Sequence, residues 1–113
     1  MAIAQAVIYV ATAPKSNAAY SAYGAAMRTA KEAGSLLPPK HILNAPTGLM
    51  RSQGYGADYS YDHDSPDAFS GQDYFPEQLG RQKFYDPPER GFEREIRKRL
   101  EYWAKLRKER NRE

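Results

Sequence analysis

The run NAPTGLMRSQGYGADYSYDHD, residues 44–64, holds one proline, three glycines, three tyrosines and three aspartates. Its apolar positions follow neither the helical nor the strand period, so it reads as irregular chain. Asn44 can cap a short helix with Pro46 in its first turn, and Gly54 ends that helix near Gln53. Gly54 and Gly56 then bend the backbone. Tyr55, Tyr59 and Tyr61 are expected to pin the loop onto neighbouring helices, because rings bury much area with few rotors. The run is architecture, and the fold must come from the segments around it.

On its N-terminal side, MAIAQAVIYVATA predicts a helix to about Ala13, stopped by Pro14. Ile3, Val7, Val10 and Ala11 share one side, while Ile8 and Tyr9 look elsewhere. A helix apolar nearly all round is enclosed by protein on most sides. A buried helix so early in the chain also suggests a piece of a longer protein. PKSNAAYSAYGAAMRTAKEAG predicts a second helix, started by Ser16 or Asn17 and ended by Gly34. Its small residues, Ala22, Gly24 and Ala25 among them, let another helix approach closely, within the chain or across a subunit interface. Ile3, Val7, Ala22 and Ala25 are the candidate interface positions.

The Pro38–Pro39 pair makes the following connector extended. Residues 55–88 hold five of the nine tyrosines and three of the four phenylalanines, with no period. Short helical pieces are expected there around Pro66–Phe69 and Pro76–Leu79. After Pro87–Pro88 a last helix should run from about Glu89 to near Arg112. Phe92, Ile96, Leu100, Trp103 and Leu106 fall on one face of it, each worth roughly 1.5–3 kcal/mol when buried. The fold class is all-α: a small helical domain, residues 1–113, with long irregular aromatic-rich loops.

The 113 residues suffice for one domain with a thin core, rich in alanine and tyrosine. There is no cysteine, which removes disulfides and thiolate chemistry and suits a reducing, cytoplasmic setting. No basic leader or membrane-length apolar run is present, so no membrane partner is expected. The net charge of +3 is uneven. Residues 57–77 carry six carboxylates and no Lys or Arg, whereas residues 89–113 carry ten Lys and Arg against six Glu. Arg90, Arg94, Arg97, Lys98, Lys105, Lys108 and Arg112 share a sector opposite the apolar face. Such a line of cations can track phosphates without reading bases. The alternative is a solvated face relieved by pairs such as Glu93–Arg97 and Glu101–Lys105.

Asp62, His63 and Asp64 are the only residues that suggest acid–base chemistry. His41 stands in another loop, and no nucleophile sits in a recognisable elbow. GLMRSQGYG lacks the Lys-Ser or Lys-Thr of a phosphate loop. The chain by itself is therefore not expected to be an enzyme, to bind a cofactor or to hold a metal.

Three ordered stretches together, AQAVIYVATAPKSNAAYSAYGAAM, NAPTGLMRSQGYGADYSYDHD and QDYFPEQLGRQKFYDPPERGFEREIRKRL, resemble the C-terminal domain of the replication-associated recombination protein A family of AAA+ ATPases. That family includes the Werner helicase-interacting protein and is related to clamp loaders. The matching positions are Pro14 to Asn17, then Asn44, Ala45, Pro46, Thr47, Leu49 and Met50, then Gly54, Tyr55, Gly56, Tyr59, Tyr61, His63 and Asp64. Leu43 departs from the pattern, which places an arginine there. The resemblance implies a collar-like oligomerisation domain, a homotetramer, joined to an ATPase module that would hold ATP and magnesium. It further implies nucleoid association, with DNA and single-stranded-DNA-binding protein as partners of the whole protein. Walker motifs, sensor residues and an arginine finger are absent from these residues.

Overall fold

Proline and glycine set most helix ends in the computed structural model, which describes residues 1–112. Helix α1 (Ala2–Thr12) stops where Ala13 turns extended ahead of Pro14. Helix α2 (Ala18–Ala33) starts with the Ala18 N–H donating to Ser16 Oγ at 3.2 Å. It ends at Gly34, whose φ of +70° is left-handed. Helix α3 (Gly48–Ser52) is capped by Thr47 rather than Asn44: the Thr47 hydroxyl accepts the Met50 N–H at 3.2 Å. Pro46 therefore precedes the helix instead of entering its first turn. Helix α4 (Glu93–Arg110) begins four residues later than expected, because Gly91 takes φ +54° and breaks the helical path. Single 3-10 turns lie at Lys40–Ile42, Asp62–Asp64 and Pro66–Ala68, and no strand occurs among the described residues.

The class is all-α, yet the helices do not form a bundle. Among the described residues, no α-helix brings a Cα within 8 Å of a Cα on another. The close intrachain packing considered for the small face of α2 is thus missing. Among the described residues only Ala18, Pro39, Gly71 and Pro87 are buried. The radius of gyration is 18.3 Å, against about 13 Å for a compact chain of this length. The accessible surface is 9260 Å², against about 6,300 Å² for a compact monomer of this mass. The excess, on the order of 3,000 Å², is the size of a substantial protein interface.

What holds the body together is irregular chain laid along α4. Phe69 packs on Trp103 with ring centroids 4.8 Å apart. Arg110 donates to the Pro66 carbonyl at 2.6 Å and reaches Asp67 at 3.3 Å. Arg97 donates to the carbonyl of the fully buried Pro87 at 2.7 Å. The Tyr85 hydroxyl donates to Glu93 at 2.7 Å, and the charge-assisted bond raises the phenol's pKa. Glu93 is correspondingly held below its usual range by the hydroxyls of Ser16 and Tyr85. The apolar face of α4 is only partly covered. Ile96, Trp103 and Leu106 are half-buried, whereas Phe92 and Leu100 remain exposed.

The α1–α2 arm joins this body at its elbow. A β-carbon at Gly91 would fall 2.6 Å from Cγ of Pro14, well inside contact distance. Both the positive φ and the proline therefore require glycine. Gly91→Ala should destabilise the chain by about 1–3 kcal/mol, combining left-handed strain with displacement of Pro14. Urea denaturation at fixed protein concentration measures this, and an unchanged midpoint would refute the elbow contact.

Candidate interaction surfaces

The arm presents apolar side chains in several directions. Ile3 is 81% exposed and Tyr20 82%, and Val7, Ile8, Val10, Tyr23 and Met27 are all more than half exposed. Ala22 and Ala25 are half-buried on α2, with Gly24 between them. Of the four interface candidates, Ile3 and Val7 are thus exposed, and the two alanines lie half-buried on the side of α2 opposite Tyr20, Tyr23 and Met27. Tyr20, Tyr23 and Met27 form an exposed apolar side of α2 that escaped the sequence reading, which weighed only the small residues of the helix.

The basic side of α4 is sorted by its acids. Arg90, Arg94, Lys98, Lys105, Lys108 and Arg112 are exposed. Lys98 pairs with Glu95 at 3.1 Å and Lys105 with Glu109 at 3.9 Å. Arg97 differs: it is half-buried, 3.6 Å from Asp86 and 3.4 Å from Glu101, and bonded to the Pro87 carbonyl. Its charge is directed inward, to hold residues 86–87.

In the run 44–64, Gly54 and Gly56 do bend the chain, at φ +85° and +71°. The Gly56 N–H donates to the Lys40 carbonyl at 2.6 Å, and a β-carbon there would sit 3.3 Å from the Leu43 carbonyl. Tyr55 is half-buried and shares a cleft with Leu36, Leu37 and Leu43 of the connector. Tyr59 and Tyr61 are each 54% exposed. Tyr59 and Tyr61 therefore leave about half their surface uncovered, and the cleft beside Tyr55 is lined by connector residues rather than by residues of α1 or α2. Asn44 and Asp64 are exposed. Asp62 accepts the Ser70 N–H at 2.9 Å, the Ser70 hydroxyl and, at 3.4 Å, the Tyr74 hydroxyl. These bonds lower its pKa, the Ser70 hydroxyl foremost. Asp62 thus latches residues 62–74 and does not orient His63, whose ring lies tilted beside Tyr61 with centroids 5.0 Å apart. Among the described residues no three His, Asp or Glu side chains converge as metal ligands would.

A further surface lies where residues 81–85 run beside α4. Between them is a groove of about 700 Å³ floored by Phe84, Leu100 and Trp103 and closed by Phe69. Arg81, Lys83 and Arg107 line it, and no carboxylate does. The Arg107 guanidinium lies over the Phe69 ring at 5.1 Å, and its Nε is buried without a partner among the described residues. Burial, and then the nearby Arg81 charge, lower the Arg107 pKa. Sequence reasoning missed this site. The available signal was Arg107 four residues after Trp103, which puts a cation on the apolar side of the helix.

A family model described as the MgsA AAA+ ATPase C terminal matches residues 1–104. The chain belongs to this family. It is 52% identical over 107 residues to the replication-associated recombination protein A of Coxiella burnetii, covering 94% of this chain and 24% of that protein. The Escherichia coli K12 protein of the same name is 45% identical over 104 residues, covering 91% of this chain and 23% of its own length. The ATPase WRNIP1 of Dictyostelium discoideum is 37% identical over 86 residues, 75% of this chain and 10% of that protein. The chain thus spans about a quarter of the length of its bacterial relatives. Its family is the C-terminal part of AAA+ ATPases, and these bacterial relatives are named for replication-associated recombination.

Proposed function

We propose that the chain is the self-association domain of an AAA+ ATPase acting in replication-associated recombination. The carrying observation is the apolar α1–α2 arm, left uncovered where four of the described residues are buried. Ordering each residue costs about 1–2 kcal/mol of backbone entropy, which so little burial offsets poorly. A second copy is the favoured cover, because closed symmetric assembly is the usual way a soluble chain hides such surfaces. Tyr20, Tyr23 and Met27 share one exposed side of α2 and the half-buried Ala22 and Ala25 lie on the other, so the helix offers a copy both large rings and a small-residue face. Helix α1 is apolar on several sides, so it can meet a neighbouring copy and the ATPase module at once. The state we propose is a tetramer, following the collar that the family resemblance implies. Catalysis, ATP and magnesium belong to the ATPase module, and the domain itself turns over nothing.

A second reading, contact with DNA, is favoured by the exposed cations along α4, a rod of about 27 Å. It concerns a different face and is compatible with assembly. In the whole protein, single-stranded-DNA-binding protein is a further proposed partner.

Sedimentation velocity at about 50 μM should show a discrete oligomer whose dissociation is governed by mass action. Val7→Glu, at an exposed position, should weaken association roughly 10–100-fold, the equivalent of roughly 1.5–3 kcal/mol of lost burial. A folded monomer from the unmodified chain would overturn the reading. For the second reading, reversing Arg94, Lys98 and Lys105 to glutamate should reduce the slope of log affinity for duplex DNA against log salt by roughly two to three. An unchanged slope and affinity would leave the cations as a solvated face.

A further inference from the structure

The groove between residues 81–85 and α4 has no part in self-association as argued above, and its features point to a ligand of their own. We propose that it docks an extended acidic segment of a partner protein. One large apolar side chain would enter the cavity, with flanking carboxylates meeting Arg81, Lys83 and Arg107.

Size and lining come first. A volume of about 700 Å³ lies within the range of roughly 300–1,000 Å³ typical of binding pockets. The floor of Phe84, Leu100 and Trp103 suits an aromatic or branched side chain, and Leu100 is still 42% exposed.

Charge complementarity selects an acidic partner. Three cations and no acid line the cavity. Arg81 lies 3.6 Å from Asp73 in a pair a little under half exposed, and Lys83 lies 3.2 Å from Asp86 in a largely exposed one. Such pairs are worth little and exchange readily for a better-placed carboxylate. Arg107 is the deeper group. Its buried, unpartnered Nε and its proximity to Arg81 both favour an incoming anion.

Backbone availability then selects an extended peptide over a nucleic acid. Residues 81–86 make no backbone–backbone hydrogen bond among the described residues. Residues 81–85, which line the groove, thus keep backbone N–H and C=O groups free of backbone partners. An added strand can pair with such an edge while alternate side chains fill the cavity. An oligonucleotide would use the cations and rings but would leave those groups unpaired.

The test is fluorescence anisotropy with the 113-residue chain and a labelled, end-blocked peptide, Asp-Glu-Ile-Trp-Ile-Glu-Asp. Saturable binding is expected, whereas the same peptide with lysine at each acidic position should not bind. Arg81→Ala with Lys83→Ala, both exposed, should weaken binding roughly tenfold or more through loss of charge-assisted contacts. Ala104→Trp, at an exposed helix position facing the groove, should abolish binding by filling the cavity, with helix content unchanged by circular dichroism. N-methylation of the two isoleucine amides should weaken binding if the backbone edge is used. The proposal is overturned by absent binding, by equal binding of the lysine peptide, or by indifference to Ala104→Trp or to N-methylation. Tighter binding of oligothymidylate, lost in the same variants, would assign the groove to nucleic acid instead.

Discussion

The contact of Pro14 with Gly91 decides how the two halves of the chain meet. Gly91 can hold φ +54° and accept the proline ring only because it has no β-carbon. That turn delays the start of α4 to Glu93, which places Glu93 beside Tyr85 and Ser16. The arm leaves the body at one elbow, and the remaining irregular chain settles along α4. Each contact along that rod is specific but small: a ring on a ring at Phe69–Trp103, a guanidinium on a carbonyl at Arg97–Pro87. No single layer of apolar side chains backs them.

A domain built this way depends on what it touches. Interiors are normally stabilised by close packing of large apolar groups, yet Ala18 is the one buried member of the ordinary core-forming residues among those described. Many of the exposed large apolar side chains lie on the arm. Assembly would therefore complete the core rather than dock finished units. Folding and association are then coupled, as in obligate oligomers whose stability varies with protein concentration. The polar groups of the body serve a different purpose. The Asp62 latch and the Arg110 bonds to Pro66 and Asp67 fix the loops that frame the groove, leaving Arg81, Lys83 and Arg107 lining it.

Much of this was legible in the sequence where chemistry is local. Pro14, Gly34, Gly54 and Gly56 marked turns by dihedral preference alone, and the ordered motifs marked the family. The start of α4 was misplaced because Pro87–Pro88 looked like the break, while the decisive residue was Gly91. Periodicity found Phe92, Ile96, Leu100, Trp103 and Leu106 on one face, but it cannot say what covers a face. Only three of the five are partly covered. The tyrosines were assigned to pinning, yet where a ring from irregular chain lands depends on the chain path, and Tyr59 and Tyr61 are left 54% exposed. The groove was invisible for the same reason: Arg81 and Arg107 stand 26 positions apart, and only the fold of residues 69–85 along α4 joins them.

The central claim is that the apolar faces of α1 and α2 are met by other copies of the chain. Isotope-filtered NOE spectroscopy on a mixture of labelled and unlabelled chains tests it directly, since it reports only contacts between copies. The account predicts intermolecular NOEs from Ile3, Val7, Ala22, Ala25 and Met27. Their absence, with every NOE from these residues arising inside one copy, would contradict it.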